Sequence, residues 1–168
     1  MVDSDLCRNA SRVPSFWGIA VAQTTDDMTD ERLIDLLRYW ERLCGSRSMP
    51  VRRELDPVLL PRRILPHLFI ADVQDGDYVC RLAGTALETE FGRGLAGLSL
   101  RDLPLGGKAD VIYDQYDEAA VSKRPTYCEN SFTDARSLIV NYQRLLLPLS
   151  PNDHDVTELL GACIFQRR

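Results

Sequence analysis

Apolar residues change their period near residue 67, and the change divides the chain into a helical front and a strand-rich remainder. Upstream, Leu33, Leu36, Leu37, Trp40 and Cys44 recur at three- and four-residue spacing, which lays one stripe along a helix of about four turns. Thr29 is placed to cap its start, Asp30 and Glu31 suit its positive end, and Gly45 supplies a stop. Downstream, His67–Val73 and Tyr78–Ala83 read as strands. The pair between them, Asp75-Gly76, tolerates positive φ at both central positions and so predicts a tight hairpin.

Gly84 ends the second strand, and Thr85 caps a short helix over ALETEF. In KADVIYDQYDEAAVSK the residues Ile112, Tyr113, Tyr116 and Ala120 share one face, and Asp110, Asp114, Asp117 and Glu118 fall largely on the other. Pro125 ends that helix. Three strand-like runs follow, Thr126–Phe132, Leu138–Leu149 and Glu158–Gln166, and the alternation Leu145, Leu147, Leu149 gives the middle run an apolar face. The predicted class is α+β: a five-stranded antiparallel sheet covered by helices, with an N-terminal amphipathic helix over 29–45. The helical insert between the second and third strands covers one face of the sheet. Residues 1–28 lack a sustained period and read as a flexible arm, and residues 29–168 as one domain. The proline-punctuated connector from Ser48 to His67 has room for one short helical turn near Pro57–Ile64.

Composition narrows the functional classes. A chain of 168 residues, 45% apolar and 27% charged, can bury a core without disulfides or metals. Its net charge of −5 argues against general nucleic-acid binding. The local excess of Arg47, Arg52, Arg53, Arg62 and Arg63 reads first as a solvated basic loop. The five cysteines are scattered, with no C-x-x-C, so neither zinc nor a disulfide framework is expected. Free thiols in apolar runs suit a reducing, cytoplasmic setting. No apolar run is long enough to cross a bilayer. The Ser15–Ala22 segment ends in Ala-x-Ala like a secretory signal, but it is short and follows Asp3 and Asp5, and it reads as part of the arm. The Asn9-Ala10-Ser11 sequon carries no weight without a secretory context.

The stretch FGRGLAG spells G-x-G-x-x-G through Gly92, Gly94 and Gly97. A dinucleotide fingerprint must follow a strand and open a helix. This one follows a predicted helix and precedes LSLRDLPLGG, so it reads as a turn.

The order of elements, and the runs YWERLCGSRSMPVRRELDP, LPRRILPHLFIADV, YVCRLAGTALETEFGRGLAGLSLRDL and RLLLPLS, resemble a family of short bacterial PAS-like proteins over about residues 33–166. The most specific pieces are Tyr39-Trp40, Asp56-Pro57, Leu65-Pro66-His67-Leu68, Arg81-Leu82-x-Gly84-Thr85, Phe91-Gly92-Arg93 and Leu147-Pro148-Leu149. The resemblance implies a stand-alone sensory or signalling module that binds a small molecule or a protein partner, without an output domain of its own. The alternative is a ligand-free homodimerisation or adaptor module; a homodimer is the expected assembly, with its seam along Leu33, Leu37, Trp40 and Cys44, although the stripe reads first as packing on its own domain. Neither reading involves nucleic acid or a membrane.

A PAS-type pocket lies between the sheet and the helices that cover it. Its foremost candidate is Arg81, since a charge within a strand is costly unless paired; a pair with Asp72 or Glu129 is the competing reading. Tyr113 and Tyr116 face the sheet, and Phe91, Tyr127, Tyr142 and Arg144 complete the set. No cofactor is expected. Flavin photosensors of the family carry a reactive cysteine in a stretch that here, Gly84 to Lys123, holds none. Haem would need an axial ligand, for which the chain offers only His67 and His154. No metal site or catalytic constellation is recognisable by spacing, and an enzyme is not expected.

Overall fold

The structure, a computed structural model, describes residues 23–105, 109–133 and 137–167. The Ser15–Ala22 segment, the Asn9 sequon and the first 22 residues of the expected arm lie outside them.

The chain runs α1 (Glu31–Cys44), β1 (Leu68–Gln74), β2 (Asp77–Ala83), α2 (Thr85–Phe91), α3 (Ala109–Ser122), β3 (Thr126–Thr133), β4 (Ile139–Leu149) and β5 (Glu158–Arg167). All pairings are antiparallel, in the order β2-β1-β5-β4-β3. The β1–β2 hairpin turns through Asp75 and Gly76, with φ of 40° and 78°. Closing the sheet needs β5 to return between β1 and β4, so β2 and β3 become its edges.

Side chains alternate along each strand, which gives the sheet two apolar faces and the domain two cores. Leu145, Leu147, Leu149, Leu160 and Ile164 meet α1 on one face. Phe69, Tyr142, Leu146, Leu159 and Cys163 meet α2, α3 and the segment between them on the other. α1 is capped by the Asp30 side chain, one residue later than the sequence suggests, and ends at Gly45. Leu33, Leu36, Tyr39, Trp40 and Cys44 are buried on the chain's own sheet, and Leu37 packs at the margin of the same core. The seam expected along Leu33, Leu37, Trp40 and Cys44 is therefore corrected: these side chains form intramolecular core, because the second apolar face of the sheet needs a cover.

The short motifs are tertiary anchors. The Tyr39 hydroxyl accepts from the Asp56 amide at 2.8 Å, tying α1 to the connector. The Trp40 indole N–H donates to the Pro148 carbonyl at 2.9 Å, tying α1 to β4. The Gly84 N–H donates to the Leu68 carbonyl at 2.7 Å, and a side chain at position 84 would collide with the Pro66 carbonyl. That contact explains why position 84 is glycine, and Gly84 rather than Thr85 is the N-cap of α2.

Two boundaries differ from expectation. Residues 23–28 are docked: Gln23 bridges Tyr127 on β3, Thr25–Asp27 forms a 3-10 turn, and Met28 is buried against α1. The connector is built from 3-10 turns at Arg52–Glu54 and Leu65–His67, with plain turns in between where one helical turn was expected. Its arginines are partly committed, since Arg47 pairs with Glu54 and Arg52 with Glu158, each at 2.7 Å.

Candidate functional site

The glycines of FGRGLAG shape one wall of a cavity. Gly92 ends α2 in the left-handed conformation, and Gly97 turns the chain back with φ of 83°. The backbone then pairs with the outer edge of β2: Gly97 N–H donates to the Cys80 carbonyl and Cys80 N–H to the Leu98 carbonyl, at 2.7 and 2.8 Å. The loop thus blunts an edge strand. It also presents Leu95, Leu98 and Leu100 inward.

Between this loop, α2, α3 and the sheet lies a cavity of about 300 Å³. Most of its lining is apolar or aromatic. Phe69 stacks near Tyr116, Tyr116 meets Tyr78, and Phe132, Tyr142 and Phe165 form a mutual aromatic cluster. The outer end of α3 is pinned by Asp77, which accepts from Ser99 Oγ at 2.5 Å and from the Tyr113 hydroxyl at 2.7 Å. These hydrogen bonds outweigh partial burial and hold the Asp77 carboxyl below its usual range.

Among the described residues that line the cavity, one carries a charge. Arg144 is 7% exposed and lines the cavity. Its Nε donates to Gln115 Oε1 at 2.7 Å, and one terminal nitrogen contacts Cys128 Sγ at 3.8 Å. The guanidinium carbon lies 5.4 Å from the ring centres of both Tyr116 and Tyr142. Among the described residues no carboxylate forms an ion pair with it. Burial pushes the Tyr142 and Cys163 groups up to about 12 and raises Tyr116 and Cys128 as well. The surrounding phenols and thiols are therefore neutral at physiological pH and do not balance the cation. The Tyr142 hydroxyl is itself buried without a hydrogen-bond partner among the described residues.

The structure gathers four of the seven candidate residues around the cavity: Phe91, Tyr116, Tyr142 and Arg144. It removes the other three. Arg81 sits on edge strand β2, half exposed, and its Nε donates to Asp72 at 2.8 Å with Glu158 nearby at 3.5 Å, so the ion-pair alternative describes it. Tyr127 faces the α1 core, with its hydroxyl on Glu129 at 2.6 Å. Tyr113 lies on the flank of α3 and reaches out to Asp77; Gln115 and Ala119 take the buried positions that Tyr113 and Ala120 were expected to hold. Gln115 was missed altogether. It follows Ile112 by three positions and precedes Ala119 by four, so helical spacing alone places it on the inward face. Neither histidine lines the cavity: His67 borders a separate open groove with Thr85, Thr89 and Glu90, and His154 stands in the β4–β5 turn.

A family model described as a PAS domain matches residues 28–164, and those residues contain the buried residues of both cores and all of the cavity lining but Phe165. The chain belongs to the PAS domain family. No curated protein matches it. Among solved structures, this PAS domain is similar to a light-oxygen-voltage domain studied through a flavin analogue, at 14% identity and a TM-score of 0.50, over 62% of this chain and 80% of that one. It is also similar to an RNA-binding light-oxygen-voltage receptor, at 16% identity and a TM-score of 0.45, over 68% of this chain and 35% of that one. The first likeness shows the shared fold. The expectation against flavin rested on a missing cysteine, which bears on cysteine photochemistry and not on whether a flavin is held; the flavin analogue belongs to that neighbour. No described helix is long and apolar enough to cross a membrane.

Proposed function

We propose that this PAS domain is a sensory module whose input is occupancy of the α2–α3 cavity by a small molecule. The observation that carries the reading is the cavity itself. A core closes on its own side chains to near-crystalline density unless something keeps a space open. Here a space of about 300 Å³ persists under a short helix and a glycine-shaped loop. That volume lies at the low end of the range that admits drug-sized ligands. The thiols in and beside the cavity support binding over catalysis: partial burial raises the pKa of Cys80 and deeper burial that of Cys128 and Cys163, the opposite of what activates a nucleophile. The adaptor reading loses its seam, since the α1 stripe is committed to the chain's own sheet.

Native mass spectrometry of the untagged full chain tests the proposal. Extra non-covalent mass that disappears when Ala71, on the cavity wall, is replaced by Phe supports it. At about a hundred times its dissociation constant, the same molecule adds about 2.7 kcal/mol of stability. Retained mass in Ala71→Phe, with an unchanged melting shift, places the ligand elsewhere and ends the proposal.

A further inference from the structure

We infer that the cavity selects an anionic ligand, an apolar body bearing a carboxylate, sulfonate or phosphate, with Arg144 as the residue that fixes its head group. The inference rests on the cavity being a binding site and adds what kind of molecule enters it.

Arg144 lies on β4 between Tyr142 and Leu146, all three on the face toward α3. A guanidinium carries five N–H donors, of which the chain engages one with the Gln115 carboxamide and one with the soft sulfur of Cys128. Gln115 has little left to give. Its oxygen already serves Arg144 and the Cys128 thiol, and its nitrogen is directed to Thr126 Oγ1 and the Arg144 carbonyl. The rings of Tyr116 and Tyr142 flank the guanidinium, each centre 5.4 Å from its carbon, and the Tyr142 hydroxyl lies near the cation. What remains is a fork of donors toward an otherwise apolar chamber, the geometry that takes an oxyanion bidentately. The Tyr142 hydroxyl stands in the same chamber and donates its proton to no described residue, so it offers a further donor. Leu95, Leu98, Leu100 and Ile112 surround the rest of the space and suit a hydrocarbon or aromatic body.

A matched pair of fluorescent probes separates the two levels of the argument. 8-Anilinonaphthalene-1-sulfonate and N-phenyl-1-naphthylamine share one body, and only the first carries an acid. Both are titrated into the full wild-type chain, Arg144→Met, Arg144→Lys and Tyr142→Phe, each checked for fold by circular dichroism. The sulfonate is expected to weaken by about tenfold to a hundredfold in Arg144→Met, the loss of a charge-assisted contact, while the neutral probe changes by less than about threefold. Arg144→Lys, a point charge on a flexible stem, should fall in between. Tyr142→Phe should cost the sulfonate alone several-fold. If the neutral probe binds and the sulfonate has the same affinity in every folded variant, the head-group inference is overturned and the cavity reading stands. If neither probe binds the wild type, the cavity reading fails, and this inference with it. Should Arg144→Met not fold, Arg144→Lys and Tyr142→Phe decide by the same criteria.

Discussion

Replacing Arg144 with methionine should make the ligand-free domain more stable. Moving a guanidinium from water to a buried site costs several kcal/mol even after the surroundings relax. The chain returns part of that through the Gln115 bond, about 1.5–3 kcal/mol for a charge-assisted contact. The two tyrosine faces return more, up to about 2 kcal/mol each when desolvated. No carboxylate among the described residues completes the compensation. Methionine fills the volume of the arginine stem with an adaptable apolar chain and carries no charge to desolvate. Gln115 Oε1 keeps a donor in the Cys128 thiol at 3.0 Å, so the substitution does not strand it. Swaps of this kind are typically neutral or stabilising, here by about 1–3 kcal/mol, which for a domain of this size raises Tm by about 3–10 °C.

The assay is thermal unfolding of protein stripped of bound molecules by unfolding and refolding. Gln115→Leu provides the converse, because it removes the best acceptor and leaves the cation stranded; a loss of about 3 kcal/mol is expected. Simple addition of the two effects leaves the double variant at or below wild-type stability by up to about 2 kcal/mol; a coupling energy of about 1.5–3 kcal/mol brings it to about wild-type stability or above. A Tm that falls in Arg144→Met would show that the chain alone stabilises the charge. Arg144 would then be a structural residue, and the argument that it awaits an anion would lose its driving force.

Other perturbations probe the walls and the anchors. Gly161 faces the Phe69 ring so closely that a Cβ would strike it, so Gly161→Ala should push Phe69 toward the cavity, cost about 1–3 kcal/mol and weaken both probes in fluorescence titration. The Asp77 carboxyl has a folded pKa below its unfolded 3.8, so its contribution is complete above that value and is lost as pH falls through it toward the folded pKa. Asp77→Asn should therefore flatten the acid limb of Tm against pH while costing about 1–3 kcal/mol of stability at neutral pH. Leu37→Glu should leave the solution mass at the wild-type value in light scattering, because the α1 stripe packs within the chain; a change of mass would reinstate the seam.

Residues 23–167 show why a sequence exposes elements more readily than sites. The β1–β2 hairpin is legible because positive φ at Asp75 and Gly76 is a local demand, settled by two residues. FGRGLAG is legible as a turn because its neighbours exclude the dinucleotide geometry, and the structure adds what that turn does, covering the open edge of β2 and walling the cavity. Arg81 and Arg144 look alike in the sequence, each a lone cation in a strand-like run, and the difference between them is not local. It depends on strand order. β5 returns between β1 and β4, which leaves β2 at the edge, where Arg81 meets water, Asp72 and Glu158. β4, one strand in from the other edge, lies between β3 and β5 with α3 above it. Periodicity did contain half of the answer. Leu145, Leu147 and Leu149 are the apolar stripe of β4, so Tyr142, Arg144 and Leu146 must share the opposite face, and an arginine flanked there by buried neighbours is the cation whose charge needs a partner. The other half, Gln115, comes from α3 and reaches Arg144 across 29 positions of chain. Such a contact appears only once the helix is laid on the sheet. The seam on α1 failed for the same reason: an amphipathic stripe states that a helix must be covered, and only the assembled sheet, with two apolar faces to hide, determines by what.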